Sequence, residues 1–426
     1  MDIIRFPLRN TWASLAKRPV YDSADLEEKI KPILEEVRLN GDQALRKYTL
    51  QFDKVELGGI RVSEYEIQSS LNVISPELFD AVRLAAANIT AFHKTQVQPV
   101  VKVETMPGVS CWRKSTAIQS VGLYIPGGTA PLFSTVLMLV IPALIAGCRE
   151  IIICTPPGKD GRVHPAILAS AAYLGINKVF QVGGVQAIAA MAYGTETIPK
   201  VSKLFGPGNQ YVTTAKQLVQ KVGVAIDMPA GPSEVAVYAD STANPAFVAS
   251  DLLSQAEHGE DSQVLLVTDH EPLIASVQRE LTAQLGRLPR KQLAEKALQN
   301  SKMILLNNKE ECMELLNLYG PEHLILACAD ADALAEKVIN AGSVFLGHYS
   351  PESAGDYASG TNHTLPTNGY AHAHSGVSVD SFVKKITFQR LTPAGLDAIG
   401  MTVETMAEAE GLHAHAAAVR IRRKSG

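Results

Sequence analysis

The sequence predicts an α/β protein of two tandem units, each built on a parallel sheet, with a helical segment before them and a helical extension after. Three observations carry this. From residue 121 onward, continuous apolar strands alternate with helical stretches; the rhythm restarts after AIDMPAGPS; and both ends of the chain show helical periodicity without that alternation. Strands that are apolar throughout belong to parallel sheets covered on both faces.

In the first unit, VGLYIPGG and REIIICTPP flank the apolar run PLFSTVLMLVIPALIAGC at 131–148, and a helix at HPAILASAAYLGI leads to the strand NKVFQVGG. The helix VQAIAAMAYG and the turn FGPGN follow. The second unit runs through EVAVYAD, a helix reaching His258, SQVLLVT, a helix at 271–285, MILLNN and AGSVFLG. Ahead of both lie ADLEEKIKPILEEVRLNGDQALRKYTLQF and a second helix near 76–98. From 376 the chain carries two or three helices and no strand alternation. Such a tail cannot make its own core, so it must pack on the body or on another subunit.

Of the 426 residues, 46% are hydrophobic and 19% charged, an ordinary globular balance with a sizeable core. A net charge of −4 and a pI near 6.3 give no basic field for nucleic acid. The RIRRK run at 420–424 reads as a solvated tail. The 131–148 run contains Ser134, Thr135 and Pro142 and falls short of the ~20 residues a membrane span needs. No apolar leader opens the chain, so no secretory signal is expected. Five cysteines (111, 148, 154, 312 and 328), without a CxxC, point to reduced thiols in a cytoplasmic compartment.

In DLLSQAEHGED (251–261), Gln255 continues an apolar stripe with Val248 and Leu252. His258 follows three residues later on the same side, before Gly259, which is expected to end the helix. A histidine capping the last carbonyls is the plain alternative to a ligand. In GPEHLIL, Glu322 and His323 stand at a loop end where both can reach one pocket, a carboxylate and an imidazole suited to successive proton transfers; a capped surface pair is the other reading. The segment 350–376 is rich in Gly, Ser, Asn and Pro, reads as a long loop, and offers Asp356, His363, His372 and His374. Were 412–421 helical, Leu412, His415, Ala416 and Val419 would share one stripe and His413 another face. The turns at 126–128, 182–184 and 206–208 suit close approach to phosphates beyond strand ends, yet none is a GxGxxG.

VGLYIPGG, GPGNQYV, DMPAGPSEV, DLLSQAEHGEDSQ, GPEHL, GDYASGTNHTLPT and EGLHAHAAAVRIR, in this order, resemble the motifs of histidinol dehydrogenases. The resemblance implies two incomplete Rossmann-like domains, with a dinucleotide domain at 101–233 and a metal and catalytic domain at 21–100 plus 234–375. It also implies an N-terminal arm at 1–20 and a helical dimerisation tail at 376–426 that packs on the partner subunit. The implied activity is oxidation of L-histidinol to L-histidine, ending histidine biosynthesis, in two steps through a bound aldehyde with two NAD and one zinc ion per subunit of a homodimer. Carried over by position, Gln255, His258, Asp356 and the partner's His415 would hold the metal, and Glu322 and His323 would serve as bases. Ser233, His363 and Glu410, with the metal ligands and His323, would meet the substrate; Tyr124, Gln186 and Asn209 would meet the dinucleotide. His372 and His374 receive no role. A sibling dehydrogenase acting on another polar alcohol, a zinc hydrolase and a catalytically silent binding protein are the competing readings.

Overall fold

The computed structural model describes residues 1–18, 23–127, 131–229 and 231–424, so Gly128 of the first glycine turn lies outside the described residues. The strands begin with β1 (Asp2–Arg5), β2 (Lys102–Met106) and β3 (Val109–Ala117). Then come β4 (Ser120–Tyr124), β5 (Glu150–Cys154), β6 (Val179–Phe180), β7 (Lys203–Phe205) and β8 (Ala225–Ile226). A third group comprises β9 (Glu234–Ala239), β10 (Gln263–Thr268), β11 (Lys302–Leu305), β12 (His323–Ala327) and β13 (Ser343–Leu346), and β14 (Val383–Leu391) is last.

Two parallel sheets result, ordered β6-β5-β4-β7-β8 and β1-β11-β10-β9-β12-β13. Apart from β1, which the N-terminal arm adds at one edge, both follow the order third, second, first, fourth, fifth. That order reverses direction beside the first strand, between β4 and β7 and between β9 and β12, as in half of a doubly wound fold. Every residue of β9 is buried; Val235, Val237 and Ala239 enter the core on one face, Ala236 and Tyr238 the core on the other. The helix Phe133–Ala146 is buried along Ser134–Ala143, and among the described residues no helix is long and apolar enough to cross a membrane.

Several expectations need correction. Residues 21–100 do not join the 234–375 sheet. The helical segment Ser23–Asp53, kinked at Gly41, packs Ile30, Leu34, Val37 and Leu45 against Ile188 and Val219 of the helices covering the smaller sheet. The helix Pro76–Lys94 packs Val82 and Ile89 against Leu137 and Ile141. An amphipathic stripe declares that it needs a partner, not which partner. The C-terminal extension is not purely helical: β14 pairs antiparallel with β3 along its whole length, with Phe388 stacked on Trp112. The helix Pro245–Ala256 ends at Glu257, ahead of His258, and Gly259 does not take the left-handed conformation. Within 350–376, Glu352–Tyr357 forms a short helix.

Beneath the FGPGN turn lies a buried ion pair between Lys216 and Asp227. Lys216 Nζ donates to the Gly206 carbonyl at 2.9 Å, and Asp227 Oδ2 accepts from the Gly206 N–H at 2.8 Å. Gly206 sits at φ +124°, where a side chain would meet the Tyr124 carbonyl. The turn is therefore held at both of its polar atoms. Lys216→Ala leaves a buried carboxylate without its cation and should cost about 3–5 kcal/mol of stability. The urea midpoint checks this; a loss below about 1 kcal/mol contradicts it.

Candidate active site

β9 and β12 are neighbours, with His323 paired to Val235, so Ser233 and Glu234 lie beside Glu322 and His323 at the amino ends of the two central strands. A strand's first residue has backbone groups that the ladder leaves free, and here side chains of the adjoining strand take them. The Glu234 N–H donates to Glu322 Oε2 at 2.8 Å, and the Glu234 carbonyl accepts from His323 Nδ1 at 3.1 Å. A carbonyl can only accept, so a proton of His323 is fixed on Nδ1 in either charge state of the ring. Nε2 then faces the site, 3.2 Å from Asp356 Oδ1.

The Glu234 carboxylate is itself tied down. Arg18 Nε and Nη2 donate to it at 2.6 and 2.8 Å, the Asn368 N–H at 3.0 Å, and the guanidinium lies 3.9 Å over the Tyr319 ring. Gln255 reaches the same strand end from the last turn of its helix. With the amide oxygen assigned to the end that meets a donor, Oε1 accepts from the Glu234 N–H at 3.2 Å and Nε2 donates to Glu352 at 2.9 Å. His258, just beyond that helix, places Nδ1 3.4 Å from Ser233 Oγ. His363 donates from Nδ1 to the Asp356 carbonyl at 2.8 Å and sets Nε2 3.0 Å from Thr135 Oγ1.

These charges fix one another's states. Burial pushes the Glu322 carboxyl above its ordinary range. Desolvation lowers part-buried His363 and also His258, whose ring nevertheless opens to the cleft. For His323 burial pulls the same way, but Glu322, Asp356 and Glu352 outweigh it and raise its pKa. Burial works against Asp356 ionising, yet His323, His363 and His258 together hold that carboxyl below its usual range.

Above this floor opens a cleft of about 1260 Å³. Ser233, His258, Glu322 and His363 line one wall; Tyr124, Gln186 and Asn209, from the smaller sheet, line the other. The cleft lies beyond the carboxyl ends of β4 and β7, as expected of an open α/β sheet, but against the amino ends of β9 and β12, which is the reverse. Asn209 Oδ1 accepts from the Tyr211 and Val212 N–H groups, opening the helix Gln210–Gln220 toward the cleft. The Tyr124 hydroxyl accepts from the Gly184 N–H at 3.2 Å, and Gln186 Oε1 is buried without a partner.

The structure thus brings together Gln255, His258, Glu322, His323, Asp356, His363 and Ser233, and places Tyr124, Gln186 and Asn209 across the cleft. It does not bring in His415 or Glu410. Both are exposed on the helical hairpin formed by Pro393–Ala409 and His413–Lys424, and neither lines the cleft. On that last helix Ala416 is buried but Leu412 and His415 are exposed, so the expected stripe is only half covered. His372 Nε2 donates to the Leu318 carbonyl at 3.2 Å and His374 lies edge-on to Tyr370, so both pack away from the cleft. Sequence reasoning missed Glu234 and Glu352. Glu234 opens an apolar strand right after the AGPS turn, and Glu352 stands four residues before Asp356, a spacing that speaks only once SPESAGDY is read as helix. Asp240, Cys328 and Asp330 also bring ligand-type atoms within 4.8 Å of one another. They lie at the opposite ends of β9 and β12, with Asp330 already paired to Lys309 at 2.6 Å.

Such a floor, with a carboxyl and an imidazole held at the amino ends of two paired strands beneath a large cleft, is the arrangement of an α/β enzyme. The family model described as histidinol dehydrogenase matches residues 16–423. A histidinol dehydrogenase of Bacteroides thetaiotaomicron is 58% identical over 422 residues, 99% of both chains, and one of Xylella fastidiosa is 52% identical over 93% of this chain and 92% of its own. The crystal structure of histidinol dehydrogenase from Elizabethkingia anophelis superposes with a TM-score of 0.97 at 54% identity, covering 100% of this chain and 98% of that one. The chain belongs to the histidinol dehydrogenase family.

Asp251, one turn before Gln255, is raised by burial alone to about 7. An acid whose folded pKa lies above its unfolded value loses stability as pH rises between the two. Asp251→Asn should therefore stabilise the protein by about 2 kcal/mol at pH 8 and by nothing at pH 4. Denaturant midpoints at the two pH values check this, and equal gains at both contradict it.

Proposed function

We propose that this chain oxidises L-histidinol to L-histidine in two NAD-linked steps through bound L-histidinaldehyde, in a zinc-dependent homodimer of the cytoplasm. The observation that supports it best is the fixed tautomer of His323 beside Glu322, at the foot of a cleft whose far wall carries Tyr124, Gln186 and Asn209.

The donor set fits a divalent cation. His258 opens to the cleft with its pKa lowered by desolvation, Asp356 is held below the usual carboxylate range by His323 first, and Gln255 offers a carbonyl oxygen, the forms that metal ligation requires. His415 of the partner subunit would supply the fourth ligand. The unpartnered Gln186 Oε1 fits a dinucleotide that brings its own donors. When bound, zinc would orient the substrate, and NAD would accept hydride.

The chain's own groups do the rest. His323 takes the alcohol proton at Nε2 while its Nδ1–H stays on the Glu234 carbonyl. Glu322 draws a proton from the water that adds to the aldehyde, and His323 acts again on the hydrate. Ser233, His363 and the partner's Glu410 hold the polar ends of the substrate.

The geometry of the tail supports a shared site. β2 is exposed along its whole length and β14 along most of it, leaving Val101, Val103, Met106, Ile386 and Phe388 uncovered. The hairpin bearing Glu410 and His415 is bound to itself through Arg420 and Arg423 on Glu404. An arm of this kind is suited to a second copy.

His415→Ala should lose zinc and activity while the dimer persists, and His413→Ala should be nearly neutral; the reverse pattern contradicts the ligand assignment. Mixing His415→Ala with Glu322→Gln subunits should return activity, because each heterodimer keeps one intact site. No recovery after proven subunit exchange contradicts the shared site.

A further inference from the structure

We propose that Glu352 is the positioning residue that turns the carbonyl end of Gln255 toward the metal position, a role that rests on the zinc reading above. Glu352 is 1% exposed, and no Lys or Arg pairs with it among the described residues. A carboxylate is costly to bury and is kept where its lone pairs have work. Its acceptor atoms meet two consecutive residues of the helix Pro245–Ala256. Ser254 Oγ donates to Oε1 at 2.6 Å, and Gln255 Nε2 donates to Oε1 at 2.9 Å and to Oε2 at 3.2 Å.

A glutamine amide can be turned end for end with little change of shape, yet only its oxygen can bind a cation. The Glu234 N–H can only donate, so it takes the oxygen end of Gln255 and leaves the NH2 end to the Glu352 carboxyl. With Nε2 held there, Oε1 is left facing the Glu234 N–H and the site. Glu352 and Asp356 stand four residues apart on the short helix Glu352–Tyr357, so they share a face. One carboxylate orients Gln255 while the other meets His323. Groups that orient metal ligands from behind commonly govern affinity by 10–100-fold.

The test is zinc affinity by competition with a chromophoric chelator, together with the visible spectrum of the Co²⁺-substituted protein and the melting temperature of the metal-free protein. Glu352→Gln lets either end of Gln255 face the cleft and should weaken zinc binding about 10–100-fold. It should also alter the Co²⁺ spectrum without lowering the metal-free melting temperature. The swap Q255E/E352Q restores a donor–acceptor pair with the oxygen-rich end toward the metal, so it should recover affinity to within about tenfold. It also decides the matter if E352Q alone does not fold. Wild-type affinity and spectrum in E352Q, or a folded swap variant without zinc, overturn the proposal. A wild-type protein that binds no zinc overturns the metal reading itself, a result distinct from both.

Discussion

The backbone of Glu234 is the constraint on which the rest of the site depends. Its N–H holds Glu322 and the oxygen of Gln255, and its carbonyl fixes the proton of His323. Both groups are available only because Glu234 is the first residue of β9 and β12 begins beside it. The strand pairing that makes the sheet therefore also sets the spacing of the acid–base pair. Arg18, from the N-terminal arm, closes the arrangement by neutralising the buried Glu234 side chain on a face otherwise lined by Tyr319. Breaking one partner of such a buried pair costs far more than the pair contributes when intact.

Around that point the protein gathers four carboxyl groups, Glu234, Glu322, Glu352 and Asp356, and the imidazoles of His258, His323 and His363. No single group sets its own protonation state. The hydrogen bond from His323 does most to hold Asp356 below its usual range, while desolvation outweighs Asp356 at His258. A cation entering between Asp356 and His258 would take lone pairs that His323 now faces. That links metal occupancy to the basicity of the residue proposed to carry the proton.

Much of this was legible in the residues. Continuous apolar strands at REIIICTPP and SQVLLVT announce parallel sheets because only buried strands can be apolar on both faces. Gln255 was conspicuous as a polar residue on an apolar stripe, and Glu322 with His323 as an ionisable pair before a buried strand. What the chain did not disclose was pairing at long range. The stripe of Ile30, Leu34 and Val37 could have covered either sheet. β14 is exposed along most of its length, so it lacks the apolar pattern that marks a buried strand. Glu352 looked like loop chemistry because Ser, Gly and Pro around it masked a six-residue helix. Glu234 acts mainly through its backbone, which no side-chain pattern encodes.

The most direct measurement is NADH formed per L-histidinol consumed, before and after zinc chelation. Two NADH per substrate, lost on chelation and restored by Zn²⁺, is the expected result. One NADH from a zinc-loaded dimer contradicts the second oxidation and the role of Glu322 in it. None, from the same folded and loaded dimer, contradicts histidinol as the substrate.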